Sequence, residues 1–142
     1  MEARKIIESI VELSLGFSRT IKFHPELEKL RAVELYTLFY LIRYGPCRMK
    51  DLAEALSMTK ANVTHLIDSL EKKGFVKRTK DESDRRATLL HVTEHGEKVY
   101  SELLEELSKL VEEIMAKLSQ EDLNLISKGF EKFIALFANS RG

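Results

Sequence analysis

The side chains best suited to recognising another molecule lie on one short segment, residues 60–73. Val63, Leu66, Ile67 and Leu70 follow an i, i+3, i+4, i+7 spacing, which predicts an amphipathic helix with this stripe turned inward. The opposite face then carries Ala61, Asn62, Thr64, His65, Asp68, Ser69 and Lys72. Asparagine, threonine and histidine near the beginning of a helix have the donors, acceptors and length to reach base edges in a DNA major groove.

Asp68 is the residue on this face that opposes binding to DNA, because its carboxylate repels phosphate. The beginning of the helix favours phosphate, since its amides and its dipole are positive there. Two arrangements reconcile these effects: the helix enters the groove by its first turn, or a nearby arginine neutralises Asp68. The alternative interpretation is an ordinary solvated face of a helix that binds no DNA.

A polar hairpin follows this helix and predicts a second contact. Residues 75–80 and 87–92 have the pattern of two short strands, and residues 81–86 (Asp-Glu-Ser-Asp-Arg-Arg) form the turn between them. Asp84 is expected to hold one of Arg85 and Arg86 while the other reaches into a minor groove, where the negative potential attracts arginine. The alternative is a charged loop that only keeps a sheet edge soluble.

The distribution of charge favours a polyanion although the net charge is zero. Residues 60–92 carry eight lysines and arginines against five acidic residues, whereas residues 99–142 carry five against eight. The positive middle and the negative end of the sequence indicate that one face of the protein binds a polyanion and that another face does not contact it. The side chains expected to contact phosphates are Lys72, Lys73, Lys77 and Arg78.

The flanking elements are predicted from hydrophobic spacing and capping residues. Helices are expected at 4–21, 27–44, 50–56, 94–117 and 119–138. Thr59, Thr93 and Ser119 stand where helix N-caps belong, and Gly74 stands where a left-handed residue ends a helix. The order is therefore helix, helix, helix-turn-helix, hairpin, helix, helix, with Ser57-Met58 as the turn between the two short helices.

Residues 48–99 resemble the MarR family of transcription regulators. The segment DESDRRATLLHVTEHG, residues 81–96, is similar to that family's Asp-x-Arg wing followed by Leu-Thr-x-x-Gly, with Val92 in place of the leucine. The resemblance implies base contacts from Lys60, Asn62, Thr64 and His65, and a minor-groove contact from Arg86 or Arg85. It also implies a dimer in which the first, fifth and sixth predicted helices interlock and, in many members, a small-molecule pocket between the dimer helices and the winged domain.

The expected fold class is mainly α with a small β-hairpin, a winged helix-turn-helix core with N- and C-terminal helices forming a dimerisation domain. The expected domains are the N-terminal dimerisation and scaffold helices at 1–44, the DNA-binding core at 45–93 and the C-terminal dimerisation helices at 94–142. The expected function is a regulator, in the form of a repressor that binds a palindromic operator. The alternative is a winged-helix dimerisation or adaptor protein that binds no DNA.

Apolar seams on three helices predict a homodimer independently of the resemblance. The seams are Ile6, Ile10, Leu13, Phe17 and Ile21; Leu104, Leu107, Val111, Ile114 and Leu118; and Leu123, Ile126, Phe130, Phe133 and Phe137. They offer more apolar surface than one small winged core covers, and pairing across a two-fold axis would bury it. The alternative is that the three helices pack only on one another.

The remaining candidates are weaker. An effector pocket is expected at Phe17, His24, Tyr36, Phe39 and Tyr40, with plain core as the alternative. Cys47, the only cysteine, is expected to be a packed, inert thiol rather than a redox sensor.

No cofactor and no metal site are expected, because His91 and His95 fall on a strand and a helix and do not share a face. Motifs of enzymes such as GxGxxG, HExxH and GxSxG are absent, so an enzyme is not expected. The apolar residues of 6–17 are interrupted by polar ones, which excludes a membrane span there and favours a cytoplasmic protein.

Overall fold

The computed structural model describes residues 2–21 and 24–140, without the side chains of 20, 21 and 138–140. The elements are α1 (Glu2–Ile21), α2 (Pro25–Glu28), α3 (Ala32–Tyr44), β1 (Cys47–Arg48), α4 (Met49–Leu56), α5 (Lys60–Lys72), β2 (Val76–Lys80), β3 (Thr88–Val92), α6 (Glu94–Met115) and α7 (Gln120–Ser140). The fold class is confirmed: the chain is mostly helical, with one small antiparallel sheet.

The sheet has three strands in the order β1-β3-β2. The predicted hairpin pairs Val76 with Val92 at its base and Lys80 with Thr88 at its tip. The strand β1, which pairs Cys47 with Leu90, was not predicted. A strand of two residues is too short to show the alternation by which strands are recognised in a sequence.

The prediction of one helix over 27–44 is wrong at its beginning. Helix α2 ends at Glu28 and α3 begins only at Ala32. Arg31 has an extended backbone, with φ −73° and ψ 160°, and its amide donates to Glu34 Oε1 at 3.0 Å. This side-chain acceptor replaces a helical bond and makes a new helix start there. The spacing of apolar residues continues across the break, so the sequence pattern gave no sign that one helix ends and another begins.

The caps expected from the sequence are confirmed. The hydroxyl of Thr59 accepts from the amide of Asn62 at 3.1 Å, that of Thr93 from Gly96 at 3.0 Å, and that of Ser119 from Asp122 at 3.1 Å. Gly74 has φ 86° and ends α5, as predicted, because this region favours glycine.

The core of the winged region forms around α5. Its predicted inner stripe of Val63, Leu66, Ile67 and Leu70 is buried, as are Phe75 and Leu90 of the hairpin. Gly96 lets α6 approach this core, because a Cβ there would lie 2.8 Å from the carbonyl oxygen of Phe75. Burial of these residues therefore fixes which face of α5 stays in solvent.

The chain divides into two compact units, one ending at Leu103 and one beginning at Leu104. The first contains the sheet and every residue of the buried hydrophobic core, and the second contains the end of α6 and all of α7. None of the described helices is both long and apolar enough to cross a membrane.

A fully buried carboxylate joins α3 to the end of α5. Both Glu34 oxygens lie 3.0 Å from Lys73 Nζ, and Oε2 also accepts from the Ser69 hydroxyl at 2.8 Å. Oε1 accepts from Arg31 Nε at 3.0 Å. Burial raises the pKa of Glu34, but the hydrogen bonds from Arg31, Lys73 and Ser69 outweigh it and lower the pKa to about 2. Glu34 is therefore ionised in the folded protein.

Glu34→Gln keeps the shape of this side chain and removes its charge. We expect the free energy of unfolding near neutral pH to fall by on the order of 2 kcal/mol, because the partly buried ammonium of Lys73 loses its counter-ion. Since the folded-state pKa is lowered, the difference is complete above the ordinary pKa of 4.5 and disappears as the pH falls toward about 2.

Urea unfolding at about pH 7 and about pH 3 measures both effects. Glu113→Gln, an exposed change on α6, is the control and should leave the unfolding midpoint unchanged. An equal loss of stability at both pH values would contradict the assignment of the charge to Glu34.

Candidate nucleic-acid interface

Helix α5 presents its polar face to solvent. Lys60, Asn62, Thr64 and His65 are exposed together near the beginning of the helix, and its first turn has no acidic residue. Thr64 Oγ1 donates back to the carbonyl of Lys60 at 2.9 Å, so the hydroxyl hydrogen is used within the helix while the oxygen can still accept. The structure thus places these four predicted residues on one accessible surface.

The repulsion expected from Asp68 is relieved by an arginine on the neighbouring strand. Arg78 Nη2 pairs with Asp68, and Arg78 Nη1 lies 3.2 Å from Glu71 Oε1. This is the second of the two arrangements foreseen from the sequence. Arg78 was expected to contact phosphate, but here it pairs with two carboxylates, offsets one of their two charges and tethers β2 to α5.

The four predicted phosphate contacts divide into two kinds. Lys72 and Lys77 are exposed, and no carboxylate in the described part of the chain pairs with either. Lys73 instead donates to Glu34 and, at 3.0 Å, to the carbonyl of Lys29, which occupies its ammonium within the fold. The ammonium of Lys73 is therefore bound within the fold and is not offered to phosphate as those of Lys72 and Lys77 are. Its spacing in the sequence could not reveal a partner that lies 39 residues away.

The wing is the segment between β2 and β3, residues 81–87. Asp84 was expected to hold one of Arg85 and Arg86, and its Oδ1 accepts from the backbone amide of Arg86 at 3.1 Å. The carboxylate thus closes the turn and leaves the guanidinium groups of Arg85 and Arg86 exposed. Within the described residues neither arginine has a carboxylate partner.

The wing is anchored by Asp81 and Arg48, which the sequence analysis did not identify. Asp81 is nearly buried, and its Oδ2 lies 2.8 Å from Arg48 Nη2 and 3.0 Å from Arg48 Nε. Its Oδ1 accepts from the amide and the hydroxyl of Ser83 at 2.9 and 2.8 Å. The hydrogen bonds of Ser83, followed by Arg48, lower the pKa of Asp81. The Asp-x-Ser spacing was a usable signal, because it is typical of a side-chain turn.

A cavity of about 690 Å³ lies between α1, α2 and α3 and tests the predicted effector pocket. Phe17 and Tyr36 line it, together with Leu13, Leu27 and Leu35. The other three predicted residues do not line it, and each has another partner. His24 Nε2 lies 2.9 Å from Glu102, Phe39 packs between the rings of Phe17 and Tyr100, and Tyr40 packs on Tyr44.

Cys47 is half-buried in β1. Burial, and then the nearby Asp51, raise the pKa of its thiol, which disfavours the reactive thiolate. Among the described residues no group of three or more histidine, cysteine, aspartate or glutamate side chains could hold a metal ion.

The helix pair α4 and α5, the hairpin and the following α6 make up a winged helix-turn-helix domain. The profile of the MarR family matches residues 30–88. The HTH-type transcriptional regulator YfiV of Bacillus subtilis is 30% identical over 108 residues, which are 76% of this chain and 68% of YfiV. The chain belongs to the MarR family.

Two solved structures extend the likeness to nearly the whole chain. The MarR-like transcriptional regulator TM0816 of Thermotoga maritima is 36% identical with a TM-score of 0.79, over 97% of this chain and 98% of that one. FabT of Streptococcus pneumoniae, solved in complex with DNA, is 21% identical with a TM-score of 0.77, over 97% of this chain and 96% of that one. The protein therefore has the fold of MarR-family transcriptional regulators.

Asp81→Ala removes the acceptor that holds the wing. We expect the amide of Ser83 to exchange its hydrogen with solvent about tenfold faster or more, because it loses its bond to Oδ1 while the helices stay folded. Amide exchange followed by nuclear magnetic resonance measures this rate. Glu82→Ala, an exposed neighbour, is the matched control. Equal exchange rates in the two variants would show that Asp81 does not order the wing.

Proposed function

We propose that this protein is a dimeric, sequence-specific DNA-binding regulator that represses transcription by covering its operator. Helix α5 lies in the major groove and reads bases with Lys60, Asn62, Thr64 and His65. The wing lies in the adjacent minor groove with Arg86 or Arg85. The observation that carries this proposal is the pair of exposed arginines at the wing, beside an α5 face whose two acidic residues are both paired with Arg78.

The proposed dimer is supported by apolar side chains that stay exposed in the single chain. On α1 these include Ile6, Ile10 and Leu13, and on α7 they include Ile126 and Phe130. Exposed apolar stripes of this length on several helices are typical of a subunit interface. A two-fold axis would present two α5 helices to successive major grooves, about 34 Å apart on one side of a palindromic site.

In this proposal the dimer represses transcription by occupying the operator, because RNA polymerase cannot bind the DNA that the dimer covers. The cavity between α1, α2 and α3 supports control by a small apolar or amphipathic ligand in the cytoplasm, since leucine and aromatic side chains line it. A ligand that favours a dimer with the wrong spacing of α5 helices would release the DNA.

Arg86→Ala should weaken binding to an operator selected from a random DNA pool by roughly 1–3 kcal/mol, and Arg85→Ala with Arg86→Ala by more. Arg43→Ala, an exposed arginine on α3, is the control of equal charge. Fluorescence anisotropy with the selected duplex at two salt concentrations measures both affinity and salt dependence. Unchanged affinity in the double variant would remove the wing from the interface. The absence of salt-dependent affinity for any duplex would favour the adaptor alternative.

Phe130→Glu tests the dimer. A carboxylate on the apolar stripe of α7 should raise the dimer dissociation constant at least about tenfold and weaken operator binding in parallel, because it would have to be buried unpaired. Lys128→Glu, which lies about 200° around the same helix, should leave both constants near those of the original protein. Sedimentation equilibrium measures the dissociation constant. A strictly monomeric original protein would refute the proposal.

A further inference from the structure

A small cavity at the base of the wing, separate from the apolar one, has four basic residues in its lining. Its volume is about 280 Å³, and Arg48, Lys50, Lys60 and Arg86 line it together with Thr88. No carboxylate among the described residues lines it. Three acidic residues that contact the lining residues are engaged within the fold: Asp81 binds the guanidinium of Arg48, Asp51 Oδ2 accepts from the backbone amide of Arg48 at 3.4 Å, and Asp84 Oδ1 accepts from that of Arg86 at 3.1 Å.

The charge in this cavity is largely uncompensated. Lys50, Lys60 and Arg86 have no carboxylate partner in the described part of the chain. Arg48 is held by Asp81, yet its guanidinium keeps N–H donors that Asp81 does not use. Helix α4 begins at Met49 on the wall, so its first free amides add positive potential. Cations gathered in this way repel one another unless an anion lies between them.

The position of the cavity indicates which anion that is. The lining residues come from the beginning of α4, the beginning of α5 and the end of the wing. In duplex DNA one sugar-phosphate strand separates a major groove from the neighbouring minor groove. If α5 occupies the first and the wing the second, that strand must pass between them, and the cavity opens between those two elements. The volume corresponds to roughly nine liquid waters at about 30 Å³ each, which is room for one phosphate group with some water.

We propose that this cavity binds one backbone phosphate per half-site, held jointly by Lys50, Lys60, Arg48 and Arg86. This site assigns Lys60 to the phosphate instead of a base edge, and it leaves Arg85 as the arginine of the minor groove. The inference rests on the proposed DNA-binding function and adds a site that joins the two reading elements. Arg48 has two roles in this site. Its ion pair with Asp81 fixes the wing, and its free N–H donors contact the phosphate. Phosphate contacts of this kind set the register of a protein on the duplex.

The test neutralises single phosphates of the selected operator duplex as methylphosphonates, one position at a time. We expect one position per half-site at which the change weakens the original protein about five- to tenfold. The same change should have little further effect on the Lys50→Gln, Lys60→Gln double variant, because the group it removes has already lost its partners. Lys98→Gln, an exposed lysine on α6, should keep the full sensitivity of the original protein.

A second arm separates DNA phosphate from the free ion. Inorganic phosphate is titrated into the original protein and the double variant at constant ionic strength, and the thermal midpoint is followed. A larger rise of the midpoint in the original protein than in the double variant supports an anion site at these residues. The proposal is overturned if no single methylphosphonate position distinguishes the two proteins, and an effect of inorganic phosphate in that case means that the cavity binds only the free ion. In that case specific binding to the unmodified operator still supports the proposed function. If no duplex is selected at all, the proposed function fails and this site fails with it.

Discussion

The position of helix α5 depends on one buried ion. Glu34 is fully inaccessible to solvent, and it is bound by Lys73 and Ser69 from one side and by Arg31 from the other. A buried carboxylate is stable only while its hydrogen bonds are made, so the three segments that supply them must keep their relative positions. Helix α3, the segment before it and the end of α5 are thereby held together. Apolar packing alone would allow small shifts between these helices, whereas a shift that breaks a hydrogen bond to the buried charge costs more free energy.

Acidic and basic residues around the wing serve different purposes. Most of the carboxylates are engaged within the fold: Asp81 holds Arg48 and Ser83, Asp84 closes the turn at Arg86, and Asp68 pairs with Arg78. The cations that remain, among them Lys60, Arg85 and Arg86, are left toward solvent. A chain of zero net charge therefore still presents a positive surface, because most of its negative charges there are used to build that surface.

Periodic signals in the sequence were sufficient for the helices and the hairpin, but not for the polar pairs that position them. The stripe from Val63 to Leu70 and the cap at Thr59 each lie within one segment, so local spacing revealed them. Arg48 and Asp81 are 33 residues apart, and Lys73 and Glu34 are 39 apart. Such pairs form only when the chain has folded, and no periodic pattern in the sequence predicts them. The sequence therefore could not show that Glu34 engages Lys73, nor that Asp84 holds Arg86 by its backbone amide.

The buried ion and the apolar cavity lie on consecutive residues of α3. Glu34 binds the end of α5, while Leu35 and Tyr36, the next two residues, line the cavity. Arg31, which donates to Glu34, is flanked by Leu30 and Ala32 of the same cavity wall. In the proposed mechanism a ligand that displaces this wall must either move Glu34 with it or break hydrogen bonds to a buried carboxylate. Because the second course leaves an unsatisfied buried charge, movement of α3 and α5 together is the course of lower free energy. In the proposed mechanism the orientation of α5 is thus coupled to the cavity by electrostatics, although the two surfaces share no residue.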